Sequence, residues 1–363
     1  MRLDKIQISN FRNLAEVAIS PARQLNVILG ANGSGKSSIL EAIHYLGFGR
    51  SFRTNRHQHV IQHQTDSFTV FCRAQLESGA TTSLGYQRHR NGDILIRQDG
   101  ESIKRVSDLV KLLPCQIFTP SSVEVIEGAP GLRRRFLDWG LFHVEQSYWP
   151  VSVKYQQLLK HRNALLRQSA EQRRTMIDDY WQASLANEGE VLSSLRKSFL
   201  NAIEPYIMAN LSHFLPEFCL EISYHSGWEK GRSLADVLQE NVHKDIRYGY
   251  TTSGPHKFDI RIKVDGLPAQ DVLSRGQGRM LMAALLLAQA QYLQDQKQRG
   301  CVFLLDDIGA ELDASKRQLF VEKLLETSAQ IFITAIEEQQ VAFIRNHEQM
   351  KLFHVEHGQV KEE

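Results

Sequence analysis

The sequence predicts an α/β fold in which a mixed β subdomain joins a parallel α/β core, with a compact helical lobe inserted into it. Three observations carry this. The glycine-rich segment 30-GANGSGKS-37 joins an apolar run to a stretch of helical periodicity, and the C-terminal third alternates strand and helix patterns. Between them, from about Gly131 to Phe214, the apolar spacing is helical. With 363 residues, 42% of them hydrophobic, the chain can bury one large or two ordinary cores. The expected division is a discontinuous unit of 1–120 and 245–363 around an inserted, mainly helical lobe at 121–244.

From Arg2 to Ile19, alternation with a polar break at 9-SNFRN-13 predicts two short antiparallel strands. The run 25-LNVIL-29 reads as a buried strand and 38-SILEAIHYL-46 as a helix. Segments 67–76, 81–89 and 94–100 read as strands joined by turns such as 91-NGD-93. Helical spacing then covers 132-LRRRFLDWGLFHV-144 and Tyr148 to Phe214. Pro150, Pro205 and 168-QSAEQRR-174 are expected to break it into helices of roughly 20 residues, ~30 Å long. No heptad seam persists long enough for an extended coiled coil. Strand pattern returns in 249-GYTTSGPHKFDIRIKVDG-266. A serine-glycine turn with a helix follows, then the strand 301-CVFLLDD-307, a helix at about 315–326 and the strand 330-QIFITA-335. Strand, helix, strand is parallel α/β grammar, so the two ends of the chain should fold together around the middle.

Net charge is +2, so any nucleic-acid surface must be local rather than global. Cys72, Cys115, Cys219 and Cys301 lie far apart without C-x-x-C spacing, which suits a reducing cytosol and gives no metal site. The fourteen histidines include 57-HQH-59 and His63 but no H-E-x-x-H, which argues against zinc. The N-terminus has no signal h-region, and the longest apolar run, 280-MLMAALLLA-288, is too short to span a bilayer. A soluble cytoplasmic protein without a membrane partner is the expectation.

The segment Gly30–Ser37 fits G-x-x-x-x-G-K-[ST], in which glycines let the backbone curl around an anion with successive N–H groups pointing inward. Lys36 would reach the outer phosphates, Ser37 would hold Mg²⁺, and the helix starting near Lys36 adds its positive end. In 301-CVFLLDD-307, five apolar residues deliver an acidic pair to a strand end. Asp306 is placed to hold Mg²⁺ through water and Asp307 to polarise the attacking water. A glutamate usually fills the latter role in related ATPases, and aspartate reaches one methylene less. Upstream, Ser274, Gly276 and Gln277 form a second phosphate-binding turn ahead of a buried helix. Its most useful target is the γ-phosphate of another subunit's ATP.

The P-loop, 273-LSRGQ-277, the acidic strand and 310-AELD-313 together resemble the ABC-type head ATPases of the SMC/Rad50 group. The short insertion with 9-SNFRN-13, 47-GFGRSFR-53, 131-GLRRRFLDWG-140 and 254-GPHKFD-259 narrows the resemblance, essentially end to end, to the RecF family of bacterial recombination mediators. The resemblance implies an ABC-type P-loop ATPase head that ATP and Mg²⁺ join to a second copy, head to tail, as a homodimer. Gly30, Ala31, Asn32, Gly33, Ser34, Gly35, Lys36, Ser37 and Ser38 would cradle the nucleotide, with Arg12 nearby. Gln116, in 115-CQIF-118, matches a Q-loop residue that senses Mg²⁺ and the water, so it joins Lys36 and Asp307 as catalytic and Ser37 and Asp306 around the metal. Ser274, Gly276 and Gln277 would act in trans, with Asp313 at the dimer seam. The implied activity is a slow, DNA-stimulated ATPase that clamps gapped single- or double-stranded DNA. With RecR and RecO, and indirectly RecA, it would serve replication-fork repair and the SOS response and associate with the nucleoid. Two departures stand out. Thr334 occupies the place of a switch histidine, and Gly278 after Gln277 predicts a late helix start.

Candidate DNA contacts are Arg50, Arg53 and Arg56, then Arg133, Arg134 and Arg135, then Arg173 and Arg174. Each cluster also reads as an ordinary solvated face. Two other functions stay open on the residues: an ATP-driven transporter engine, against which Thr334 argues, and a scaffold in which nucleotide only stabilises the fold.

Overall fold

The computed structural model describes residues 1–168 and 179–363. They form two compact units, Met1–Ser122 with Arg275–Glu363, and Val123–Ser274.

In the first unit, alternating strands build a six-stranded antiparallel sheet. Its spatial order is Leu14–Ile19, Arg2–Phe11, Ser67–Gln75, Thr81–His89, Ile94–Gln98 and Glu101–Ile103. In Ser67–Gln75 every second residue, Phe68, Val70, Cys72 and Ala74, is buried, as a sheet with one covered face requires. A second sheet runs Gln359–Glu362, Met350–Glu356, Leu25–Leu29, Gln330–Ala335, Val302–Leu305, Cys115–Phe118. All its pairings are parallel except that of Gln359–Glu362. Leu25–Leu29, Val302–Leu305 and Gln330–Ala335 are buried at every residue, so they carry continuous apolar runs instead of alternation. The two ends of the chain thus share one sheet, as the strand-helix-strand pattern predicts.

The helix Lys36–Phe48 packs against Arg2–Phe11, Ser67–Gln75 and Thr81–His89 of one sheet and against Cys115–Phe118 and Gln330–Ala335 of the other. It is buried almost all round. Tyr45 meets Phe11, Phe68 and Tyr86 there at edge-on or tilted angles, with centroids 5.0–5.8 Å apart. Gly47 allows the close approach, since a Cβ there would lie 2.4 Å from that of Cys115. His44, buried in this helix, stacks on Phe48 and keeps Nδ1 2.8 Å from the Arg50 carbonyl; burial pushes its pKa down to about 3.

The helix Arg275–Lys297 starts immediately after Ser274, so Gly278 does not delay it. Gly278 lies buried in its first turn, ahead of the run Met280–Ala290 that is buried at every residue. Burial on that scale outweighs a glycine cost of ~1 kcal/mol.

The second unit holds the helices Pro130–Val144, Tyr148–Leu166 and Asp179–Phe214 with a three-stranded antiparallel sheet. Two expectations fail here. Pro150 lies in the first turn of its helix, where its missing N–H needs no partner, and Pro205 sits inside a helix that continues for 36 residues. Buried Ile203, Ile207 and Leu211 hold that helix on both sides of the proline. The strand Asp259–Val264, expected with the discontinuous unit, pairs instead with Leu220–His225, inside the lobe expected to be mainly helical. Leu267–Pro268 completes the sheet. The motif 254-GPHKFD-259 anchors this unit. Arg196 bonds both oxygens of Asp138 (2.8 and 2.9 Å) and the Pro255 carbonyl (2.8 Å) while lying 4.0 Å from the Phe258 ring centroid. His256 links Tyr155 Oη (2.7 Å) to the Thr251 carbonyl (2.9 Å).

Candidate functional site

The strand Leu25–Leu29 ends in the P-loop, and the loop can turn back because Gly33 and Gly35 take φ of 79° and 123°. Asn13, on the turn between the first two strands, pins it. Its Nδ2 donates to the carbonyls of Gly33 (3.3 Å) and Ser34 (3.1 Å), and Ser38 Oγ donates to its Oδ1 (3.0 Å). Lys36 Nζ donates to the carbonyls of Gly30 (2.6 Å) and Ala31 (2.9 Å), so the ammonium is held over its own loop. Burial lowers its pKa, and the carboxylates of Asp307 and Asp306 resist that shift.

Parallel pairing of Leu25–Leu29, Gln330–Ala335 and Val302–Leu305 brings three strand ends to one edge. There Asp306 Oδ1 accepts from Ser37 Oγ (2.8 Å) and from Thr334 Oγ1 (3.0 Å). Thr334 Oγ1 in turn accepts from the Asp307 backbone N–H (2.8 Å). Burial raises the Asp306 pKa, opposed by those two hydroxyl bonds. Asp307 sits at φ 51°, ψ 50°, left-handed for a non-glycine residue, and its Oδ1 is buried without a hydrogen-bond partner, as is Ser34 Oγ.

Beside these groups lies a cavity of about 530 Å³ lined by Asn32, Gly33, Gly35, Lys36, Ser37, Ser38, Asp307 and Thr334, together with Arg12, Asn13, Arg53, His59, Ile61 and His63. The volume suits a nucleotide. The Ser37 hydroxyl beside Asp306 offers oxygen ligands of the kind Mg²⁺ takes, and the orphaned polar atoms await partners. The residues therefore fit a magnesium nucleotide.

Arg12 reaches the cavity with its guanidinium anchored on the fully buried Glu41 (3.0 and 2.7 Å) and the His59 carbonyl (2.8 Å). Glu41 also accepts from Ser51 Oγ, and Arg53 approaches it at 3.8 Å. Arg53, grouped in the sequence with DNA contacts, thus belongs to the cavity wall. Asn13, His59, Ile61 and His63 were not singled out for this site. Asn13 and Arg53 stand inside short motifs quoted above, 9-SNFRN-13 and 47-GFGRSFR-53, whereas the histidines had drawn attention only as metal ligands.

Gln116 is not brought to the cavity. It lies in mid-strand beside Phe303, buried, and its amide donates to Gln289 Oε1 at 2.8 Å. Gly276 and Asp313 come together instead. Lys316 Nζ lies 3.1 Å from Asp313 and 3.9 Å from where a Gly276 Cβ would stand. Asp313 caps the helix Ala314–Leu325 through the Lys316 N–H (2.9 Å), a bond that with Ser315 Oγ holds its pKa down to about 2. Gly276, Gln277 and Asp313 do not line the cavity.

Among the other arginines, Arg50, Arg56 and Arg135 are exposed. Arg133 is instead paired with both oxygens of Asp259 (2.8 and 3.1 Å) and with the Gly128 carbonyl, and Arg134 donates to the Phe258 carbonyl, with burial lowering its pKa. These two hold their own unit together. Arg173 and Arg174 lie outside the described residues. No described helix is long and apolar enough to cross a membrane.

The profile of the "RecF/RecN/SMC N terminal domain" family matches residues 2–361. The chain is 53% identical over 363 residues, the full length of both proteins, to a DNA replication and repair protein RecF of Pseudoalteromonas atlantica, and 41% identical over 363 residues to that of Haemophilus ducreyi, covering 99% of this chain and 100% of the other. A solved structure of the recombination mediator protein RecF with ATP in the RecFOR pathway superposes with a TM-score of 0.87 at 25% identity, covering 100% of this chain and 97% of the other. An Smc head bound to the C-terminal winged-helix domain of ScpA shares the fold alone, at TM-score 0.60 and 16% identity over 100% of this chain and 97% of that one. With a family profile matched over residues 2–361 and a relative 53% identical along its whole length, the chain belongs to the RecF family of the SMC-type head ATPases.

Proposed function

We propose that the chain is an ATP-dependent, DNA-binding recombination mediator whose first unit is an ATPase head, and that two copies close head to tail around ATP. The observation that carries this is the composition of the cavity. It holds the P-loop, Asp307 and Thr334, yet Gly276, Gln277 and Asp313, the second phosphate-binding turn and its neighbour, are not in its wall. A second copy would supply them.

Lys36 exchanges its two carbonyl partners for phosphate oxygens, a charge-assisted bond in place of neutral ones. Ser37 and Asp306 would hold Mg²⁺, which would supply positive charge to offset that of the phosphates. Asp307 orients the attacking water from its left-handed position, fixed by the Thr334 hydroxyl. With no histidine at Thr334 and an aspartate in place of a longer glutamate, turnover is slow, and DNA stimulates it. ATP then times residence on gapped DNA, and release follows hydrolysis. The relatives, a DNA replication and repair protein and a mediator in the RecFOR pathway, support work alongside RecR and RecO, upstream of RecA loading, in the cytoplasm. Arg50, Arg56 and Arg135 supply exposed charge for DNA.

Sedimentation tests the shared site. ATP should convert monomer to dimer, and Ser274→Arg should abolish that conversion while nucleotide binding persists. A mutant that still dimerises with ATP removes the trans contact.

A further inference from the structure

In the second unit, Tyr248 and Tyr250 keep 55% and 41% of their surface in solvent. Between them Gly249, at φ 72°, ends the helix Val242–Tyr248 in the left-handed conformation. That turn sets the two rings side by side, centroids 5.8 Å apart and planes 36° from parallel. Lys257 Nζ stands 5.2 Å from the Tyr250 ring centroid, and Arg167, itself exposed, donates from Nε to the Gly249 carbonyl at 3.0 Å. Arg247 is exposed in the last turn of the helix. The one carboxylate in residues 242–257 is Asp245, fully buried and taken up by Arg162 (2.6 Å) and the Thr252 hydroxyl (2.7 Å). No acid of that segment faces an incoming phosphate.

Two ring faces left in water beside three cations form a surface with no role in the core of this unit. We propose that it is a stacking platform for unpaired bases of single-stranded DNA, with Tyr248 and Tyr250 taking the bases and Arg167, Arg247 and Lys257 the flanking phosphates. This rests on the reading that the chain acts on DNA and adds where an unpaired strand would lie. Aromatic faces accept any base, and cations track the backbone. Bases within a duplex are already stacked on one another, so the platform selects unpaired strands. A protein partner is the poorer fit, because two half-exposed tyrosines are the large apolar groups exposed in this segment and offer far less area than a stable protein interface buries.

The test uses the full chain, without nucleotide, at low salt, against fluorescein-labelled oligothymidylate and a duplex of equal length. Tyr248→Ala with Tyr250→Ala should weaken oligothymidylate binding by about ten-fold per ring. Tyr248→Phe with Tyr250→Phe should restore it, since the ring and not the hydroxyl is required. Duplex binding and ATP binding should stay within about two-fold of wild type. Unchanged oligothymidylate binding by the alanine pair overturns the platform, as do an equal loss on duplex or a failure of the phenylalanine pair to rescue. Protection of both tyrosines by another protein, with oligothymidylate binding unchanged, would reassign the surface to protein docking. Wild-type protein that binds duplex but not oligothymidylate defeats this proposal alone; protein that binds neither, without nucleotide and again with ATP, defeats the mediator function itself.

Discussion

The Thr334 hydroxyl makes two contacts that no other residue of its strand makes, accepting from the Asp307 N–H and donating toward Asp306 Oδ1. Thr334→Val keeps the shape and removes both, leaving a half-buried N–H unsatisfied and the acidic pair unlinked. Single-turnover hydrolysis should fall by about ten-fold or more, with nucleotide affinity nearly unchanged, and Thr334→Ser should retain most of the rate. Equal rates in the valine variant would separate the hydroxyl from catalysis. Much of this site was legible residue by residue, because the P-loop and the acidic strand end are contiguous motifs whose spacing encodes their geometry. Asn13, His59 and His63 were not, since their roles depend on how a turn and a loop from the antiparallel sheet fold over the P-loop, and no local pattern marks that. Gln116 illustrates the reverse. Its motif position was plain, but its side chain points to Gln289 because a strand residue two places short of the sheet edge faces a packed helix.

Among the elements, Asp179–Phe214 departs most from its pattern. Proline costs a helix interior a hydrogen bond and adds a clash, yet the helix runs through Pro205 because its flanking turns are buried. Pro205→Ala should therefore raise stability by about 1–2 kcal/mol, after allowing for the freedom gained by the unfolded chain, read as a higher urea midpoint by circular dichroism. A lower midpoint would mean that the packing of this helix requires a proline bend. The strands of the first unit were legible because alternation and continuous apolar runs are short-range signals. Leu220–His225 was hidden, because six residues after a long helical stretch carry too little periodicity and its partner strand lies far along the sequence.

At the level of the whole molecule, nucleotide and DNA are coupled if closure aligns weak surfaces of two copies on one strand, raising effective concentration. Lys36→Met, which removes the ammonium from Gly30 and Ala31 and from any phosphate, should abolish ATP-stimulated retention on gapped DNA while nucleotide-free retention persists. Undiminished stimulation in a filter-binding assay would uncouple the two. The strand that carries the P-loop lies between Met350–Glu356 and Gln330–Ala335, both far downstream of it in the sequence. A ribosome therefore extrudes the phosphate loop well before the strands that flank it. Chains that stop before Gln330 lack both neighbours of that strand and the Thr334 wall of the pocket, so such fragments cannot compete with intact protein for the triphosphate.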